Sequence, residues 1–384
     1  MKTVRVSRKG AGRWAGGHPW IYRSDTLDQV SEPGMVRVVD ARGRFLGQAL
    51  HSPASEIRLR RLEPTERPID AGWWQDQIAR CAARREGTDA TACRVVHGEG
   101  DGLPSLIVDR YDRWLVVQLL SAGLETMRGA VLDALEQVLQ PEGILLRHDA
   151  SVRKHEKLTE GIELARGAVP EQIEVREGAI RYLAAPWTGQ KTGAFLDQRV
   201  NRVLAGDLTR EGGRALDCFG YHGSFAMHLA RRSAQVVALD VSEDALARGR
   251  ENAALNRFDN IDWQLGNAFD LLADMDRAGE RFDTIIVDPP AFAKSRQAVE
   301  PALRGYHEIN RRAIRILAPG GVLITASCSF HIGRPAFEMM VQGAAEDAGR
   351  PLTVLSRLGQ SEDHPEIITI PETSYLKGLA LRAE

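Results

Sequence analysis

Asp217-Cys218-Phe219-Gly220-Tyr221-His222-Gly223 follows an apolar run and places two glycines in a turn directly after it. Val236-Val237-Ala238-Leu239-Asp240 comes next, an apolar strand candidate ending in an acid. Ile285-Ile286-Val287-Asp288-Pro289-Pro290 repeats that form, and Val322-Leu323-Ile324-Thr325-Ala326-Ser327-Cys328 closes the series. Each piece alone is weak. Together their order and spacing put every polar end where a doubly wound parallel sheet presents its strand tips to a ligand. Strands are expected to end near Asp217, Asp240, Gly266, Asp288 and Ser327, with helices near 224–232, 243–256, 303–317 and 335–348. Such alternation implies helices on both faces of a parallel sheet. Leu352-Thr353-Val354-Leu355 and the run from Leu376 to Leu381 would add an antiparallel edge, for seven strands in all.

Upstream, the pattern changes twice. Residues 1–68 read as a small β domain. Val36-Arg37-Val38-Val39-Asp40 and Phe45-Leu46-Gly47-Gln48-Ala49-Leu50 flank a turn, and Ile57-Arg58-Leu59-Arg60-Arg61-Leu62 alternates so as to turn a row of arginines outward. Residues 69–187 read as mixed α and β: a helix from Trp73 to Arg85 capped by Asp70, a hairpin over 106–119, a helix from Glu125 to Leu139, and a second hairpin around Glu177-Gly178-Ala179. The third region, 188–384, is the doubly wound domain. A chain of 384 residues has room for these three parts.

Composition narrows the class. With 43% hydrophobic and 27% charged residues the chain is expected to build cores rather than stay disordered. No run of about 18 apolar residues predicts a membrane span, and Met1-Lys2-Thr3-Val4-Arg5-Val6-Ser7-Arg8-Lys9 lacks the apolar centre of a secretory signal. Four cysteines without paired spacing support neither a disulfide framework nor a metal site, so a cytoplasmic location is expected. The net charge is −2, but residues 1–67 hold 13 Lys+Arg against 7 Asp+Glu. A basic segment on an otherwise acidic chain suits a phosphate backbone, or is a solvated surface.

Gly220 and Gly223 would let the backbone approach a ligand, with Asp217 at the strand end and Phe219 and Tyr221 in the same turn. The dinucleotide fingerprint is not met, because the third glycine is missing at its spacing. Asp240 lies about 20 residues on, where a carboxylate accepts the hydroxyls of a ribose or caps the next helix. Val241 follows it. Asn267 and Ala268, after the third strand, are candidates for the base edge, or Asn267 is a helix cap. Pro289 and Pro290 force an extended turn that fixes Asp288 at the crevice mouth, and Phe292 is placed to stack on a flat base.

With these residues assembled, the chain resembles class I S-adenosylmethionine-dependent RNA methyltransferases, and among them the bacterial family that methylates C5 of a cytosine in large-subunit ribosomal RNA. His18-Pro19-Trp20-Ile21-Tyr22 and the basic β segment resemble that family's N-terminal PUA domain. Gly98-Glu99-Gly100-Asp101-Gly102-Leu103-Pro104, Lys191-Thr192-Gly193-Ala194-Phe195-Leu196-Asp197-Gln198-Arg199, Asp363-His364-Pro365 and Tyr375-Leu376-Lys377-Gly378 match family blocks. The resemblance implies a Rossmann-like methyltransferase domain, S-adenosylmethionine as cofactor, ribosomal RNA as partner, and no metal or membrane; a homodimer is left open. It also implies that Gln198 and Arg199 lie at the methionine end of the cofactor. Two positions depart from the family. His222-Gly223-Ser224 stands where Thr-Gly-Gly is usual, and Asn267 stands where an acid is usual.

C5 of cytosine is a poor nucleophile, so the implied reaction needs a thiolate to add at C6. Cys328 is the expected nucleophile, and Cys218 the expected apolar filler. Asp288 is expected to bond the N3/N4 edge of the cytosine; the base that takes the C5 proton is not legible. The target base must leave its helix to reach such a site. Asp-Pro-Pro-aromatic turns also serve amino-group methylation of guanine or adenine, and a non-catalytic RNA-binding assembly factor or a dinucleotide oxidoreductase are further alternatives.

Overall fold

The computed structural model describes residues 1–293 and 295–384, and the chain divides into two compact units. The first comprises Met1–Val175, Ala184–Leu196 and Glu362–Thr373, and the second Arg176–Leu183, Asp197–Ser361 and Ser374–Glu384.

The first unit opens with a five-stranded sheet built from β1 (Lys2–Val6), β2 (Trp20–Tyr22), β3 (Gly34–Asp40), β4 (Phe45–His51) and β5 (Ile57–Glu63), in the order β1-β3-β4-β5-β2. Helix α1 (Arg8–Ala15) lies between β1 and β2. It is only eight residues long, and Ala11 and Trp14 are the residues that mark its apolar face. It forms because the Ser7 side chain caps Gly10 N–H and Trp14 is buried in the sheet's core.

The expected outward row of arginines is corrected here. Arg60 is buried, and its guanidinium donates to Glu156 Oε1 at 2.8 Å. Arg61 donates to the carbonyl of Trp14 and lies over that indole. Alternation in β5 fixes which side chains share a face, but it cannot say that the polar face stays wet. Here a buried carboxylate and an aromatic ring take the guanidiniums.

The same unit continues with α2 (Ala71–Ala83), whose N-terminus is capped by Asp70, and a second sheet of β6 (Ala92–His97), β7 (Leu106–Tyr111), β8 (Trp114–Leu119), β9 (Gly143–Arg147) and β10 (Ile162–Gly167). Short α3 (Ala122–Glu125), α4 (Arg128–Leu139) and short α5 (Val152–His155) fill the connections. The distinctive sequence blocks of this unit are structural ties. Asp101 accepts from Arg85 and from His97 N–H, Asp363 accepts from Arg94 N–H, and Arg94 pairs with Asp109, which also accepts from Thr192. Trp20 Nε1 donates to Glu99 and His18 meets Glu372 at 3.0 Å.

A hairpin of β11 (Ile173–Glu177) and β12 (Ile180–Ala184) follows in the chain. The second unit is then a seven-stranded sheet in the order β15-β14-β13-β16-β17-β19-β18. It contains β13 (Arg214–Cys218), β14 (Gln235–Asp240), β15 (Ile261–Leu265), β16 (Phe282–Val287), β17 (Leu317–Ser327), β18 (Leu352–Leu358) and β19 (Lys377–Ala383). The first five are mutually parallel, and β19 pairs antiparallel with both β17 and β18. Strands buried on both faces read as continuous apolar runs, and residues alternate between two cores. Leu216, Val237, Leu239, Ile285, Val287 and Leu323 join α9 (Ala268–Arg277), α10 (Val299–Arg315) and α11 (Arg334–Asp347) on one face. Ala215, Val236, Ala238, Ile286 and Ile324 meet α6 (Arg199–Leu208) and α7 (Ser224–Ala230) on the other. Helix α8 (Glu243–Asn256) follows β14 and is capped by Ser242.

Three of the four expected helices after residue 190 fall within a few residues of their expected bounds; α10 starts earlier, at Val299. Two, α6 and α9, were missed. Asn267 is the signal that could have located α9: its side chain caps the helix by accepting from Phe269 N–H.

A buried ion cluster braces the second face. Glu177 accepts two bonds from Arg202 on α6 and lies 3.0 Å from His228 on α7. Although burial opposes ionisation, Arg202 and His228 hold the Glu177 carboxyl down to about 2. Removing one partner leaves an uncompensated charge in the interior. Arg202→Met is therefore expected to destabilise the second unit by about 3–5 kcal/mol, read as a lowered urea midpoint, whereas an unchanged midpoint would show that the cluster is not needed.

Candidate active site

Strand order sets where a crevice opens. The chain leaves β13 toward β14 on one side and returns as β16 on the other, so the helices following β13 and β16 diverge. Register aligns the tips: Cys218 pairs with Leu239 and with Val287, which places Asp240 and Asp288 one residue beyond, on either side of the 218–223 turn.

That turn is strained. Phe219 and Tyr221 have φ of 66° and 49°, and Gly223 has φ of 79°. Left-handed conformations at two non-glycine residues persist only where surrounding bonds enforce them. Those bonds are visible. Gly220 N–H donates to Leu239 O at 2.7 Å, and Tyr221 N–H donates to Asp240 Oδ2 at 2.9 Å. Asp240 Oδ1 accepts from Ser242 N–H at 2.9 Å. The Asp240 carboxylate is thus pinned by two backbone amides at the tip of β14 with lone pairs still available. Val241 beside it is an apolar side chain left 70% exposed. A pinned carboxylate with an exposed apolar neighbour suits a ribose diol joined to a flat base. Gly223 has a packing reason as well, because a Cβ there would lie 2.4 Å from the Trp263 ring.

Asp217 sits beneath the turn rather than in it. It is buried, and its Oδ2 accepts from Ala226 N–H at the start of α7. Burial pushes its carboxyl up to about 8, and the nearby Asp288 and Asp240 charges push in the same direction. Within the turn His222 is also buried, and burial with the Arg202 and Arg248 charges pushes its imidazole down to about 3, so it is neutral. Asn267 is exposed and occupied as the cap of α9, and Ala268 is buried behind it. Gln198 and Arg199 are both largely buried. Gln198 Oε1 accepts from Asn201 at 2.6 Å, and the preceding Asp197 accepts from the Tyr375 hydroxyl at 2.7 Å.

The second half of the site joins two loops. Asp288 is half-buried, Pro289 buried and Pro290 exposed. The Ser329 hydroxyl accepts from Ala293 N–H at 3.2 Å and meets the Tyr306 hydroxyl at 3.0 Å. Tyr306, on α10, is thereby held between the 288–293 loop and the 327–329 turn. Phe292 packs against Tyr306 with ring centroids 4.6 Å apart and lies 6.3 Å from Phe269, so much of its ring is already covered by protein. Cys328 is half-exposed at the tip of β17, while Cys218 is fully buried, which drives its thiol well above the usual range. Sequence reasoning missed Ser329, Tyr306 and the exposed ring of Phe330, which follows Ser329. Tyr306 lies on an amphipathic helix, where its spacing reads as core and nothing marks its hydroxyl.

Comparison with known proteins gives this arrangement its class. Residues 93–382 match the family described as S-adenosylmethionine-dependent methyltransferase, and residues 4–64 match a PUA-like domain. The chain belongs to the S-adenosylmethionine-dependent methyltransferase family, and S-adenosylmethionine is its cofactor. Among curated relatives, Ribosomal RNA large subunit methyltransferase I of Salmonella arizonae is 38% identical over 387 residues, covering 95% of this chain and 93% of the relative. The protein of the same name from Escherichia coli O139:H28 is 38% identical, with 95% of each chain covered. A candidate S-adenosylmethionine-dependent methyltransferase from Streptococcus mutans shares the fold with a TM-score of 0.84 at 20% identity, over all of both chains. A solved methyltransferase candidate complexed with SAH superposes over all of both chains with a TM-score of 0.86, also at 20% identity. Among the described residues no cluster of His, Cys, Asp or Glu could hold a metal, and no helix is long and apolar enough to cross a membrane.

Two outcomes follow from the geometry of the turn. The folded state holds the Asp217 proton to a higher pH than the unfolded chain does, so this carboxyl disfavours folding increasingly between about pH 4 and pH 8. Relative to Asp217→Asn, the wild type should lose at least about 1 kcal/mol across that window; a constant difference in urea midpoint from pH 5 to pH 8.5 would contradict the raised carboxyl. Asp240→Ala removes a charged acceptor from the tip of β14 and should weaken SAH binding by about tenfold or more in calorimetry.

Proposed function

We propose that this protein methylates C5 of a cytosine in large-subunit ribosomal RNA, with Cys328 as the covalent nucleophile. The observation that carries the reading is the tie through Ser329 and Tyr306, which joins the cysteine-bearing turn to the loop that follows Asp288. The relatives' shared name supports the substrate class, and the match to a PUA-like domain supports RNA as the partner.

S-adenosylmethionine supplies an electrophilic methyl group when bound. Asp240 would hold the ribose hydroxyls, Val241 would face the adenine, and the backbone of Phe219, Gly220, Tyr221 and Gly223 would line the cradle. Gln198 and Arg199 would lie toward the methionine end, with Asn267 and Ala268 by the adenine edge. Asp217 supports the turn from below. On the RNA side, Cys328 Sγ adds to C6 of a flipped-out cytosine, which makes C5 a carbon nucleophile. Asp288 bonds the N3/N4 edge and favours the protonated ring, making C6 more electrophilic. After C5 takes the methyl group, a base removes the C5 proton, the electron pair of that C–H bond restores the C5–C6 double bond, and the thiolate leaves C6. Pro289 and Pro290 keep the Asp288 loop extended, Phe292 wedges it against Tyr306, and Phe330 offers an exposed ring for stacking.

The test is incubation with labelled S-adenosylmethionine and protein-free large-subunit RNA, followed by nucleoside mass spectrometry. The expected product is 5-methylcytidine, and Cys328→Ala should lower the rate about 10³-fold or more while SAH binding persists. Methylated guanine or adenine amino groups, formed equally well by Cys328→Ala, would replace this reading with amino methylation. No transfer to any RNA would leave a non-catalytic assembly factor.

A further inference from the structure

Lys377 opens β19 and pairs in register with Ser327, the residue before the half-exposed Cys328. Its side chain is buried, only 5% of the residue being exposed. The ammonium donates to the carbonyls of Ser329 and Tyr375, at 2.5 and 3.0 Å. Among the described residues no carboxylate lies within ion-pair distance of it. An ammonium taken out of water without a counter-charge costs several kcal/mol, and two backbone carbonyls do not repay a full charge. A neutral donor would bridge the same carbonyls at lower cost. The unbalanced cation therefore needs an anion nearby, and the adjacent group able to become one is the Cys328 thiol.

We propose that Lys377 is the positioning and charge-complementing residue of Cys328: its buried ammonium fixes the 328–329 backbone and favours the thiolate over the thiol. The proposal rests on the reading of Cys328 as nucleophile and deepens it, by naming what readies the sulfur to add to C6. The charged and titratable groups around the turn come from three elements. Lys377 approaches from β19, Arg334 from α11 and Tyr306 from α10. Burial lowers the Lys377 ammonium to about 8, Cys328 opposes that shift, and Arg334 adds to it. Arg334 is committed to the carbonyl of Leu358, and the Tyr306 hydroxyl to Ser329. Lys377 is thus the buried cation placed on the thiol's own turn, and the sequence block that contains it gains a role beyond closing the sheet.

The test reads the thiol directly and needs no RNA. Iodoacetamide alkylation of the intact protein is followed against pH, with the Cys328 peptide quantified by mass spectrometry; Cys81, Cys93 and Cys218 are buried. In the wild type the alkylation midpoint should fall below the value near 8.5 of a free cysteine. Lys377→Met should raise it by about one unit, a roughly tenfold lower alkylation rate at pH 7, and Lys377→Arg should restore much of the difference. SAH binding, measured alongside, should change little in both variants. A Lys377→Met protein that binds SAH normally and keeps the wild-type midpoint would overturn the proposal. So would a wild-type midpoint at or above about 8.5, a result that stands even if no variant folds. Failure of the C5 reading shows separately, as methyl transfer retained by Cys328→Ala.

Discussion

The reversal of strand order at β13 is the constraint on which the site depends. A strand flanked by parallel neighbours must send its chain off over one face, and the next strand added on the other side must send its chain over the opposite face. The connections after β13 and β16 therefore part, and the polar ends of β13, β14, β16 and β17 surround the gap they leave. Once the register fixes Cys218 against both Leu239 and Val287, Asp240 and Asp288 have little freedom about where to stand. The chemistry of the crevice follows from that placement together with the local bonds that hold each tip in shape.

Those local bonds differ in kind across the two halves of the site. At the 218–223 turn they are backbone to backbone and backbone to carboxylate, which is how a turn with two left-handed non-glycine residues is kept from relaxing. At the 288–293 loop and the 327–329 turn they are side-chain hydroxyls: Ser329 and Tyr306 link loops far apart in sequence. Hydroxyls serve well there because each both donates and accepts, so one buried oxygen can satisfy partners on two segments. The Glu177, Arg202 and His228 cluster balances its buried charges within itself, whereas two buried groups close to the crevice do not. Asp217 below the turn and Lys377 behind the cysteine are buried groups whose ionisation the fold resists. Such departures from ordinary titration concentrate at working sites.

In the first unit, sequence blocks that look functional have a structural explanation. Asp101, Asp363 and His18 are engaged in bonds between segments of that unit. The arginines of β5 show the limit of charge counting. Arg60 and Arg61 contribute to the basic balance of residues 1–67, yet one is in a buried ion pair and the other on an indole ring. A net charge states what a segment carries, not what it shows to solvent.

The central strands β13, β14, β16 and β17 were legible because parallel strands buried on both faces are continuous apolar runs, and Asp217, Asp240, Asp288 and Ser327 mark their polar ends. Helix α9 was missed although Asn267 offers a cap and Ala268, Leu271, Leu272 and Met275 recur at helical spacing, and α1 is a short helix whose one large buried side chain is Trp14. Glycine spacing and the Asp-Pro-Pro turn located the crevice in the chain, and Cys328 stood out from Cys218 by its place after the last parallel strand. By itself, then, the sequence determined the strands, the succession of their tips along the chain and the residue types offered at each, because these depend on local pattern. Only the tertiary structure decided that Asp217 supports the turn from beneath, that Ser329 and Tyr306 join two loops, and that Lys377 stands buried behind the cysteine. Those facts depend on which distant segments meet and how much water they exclude, and no local pattern records either.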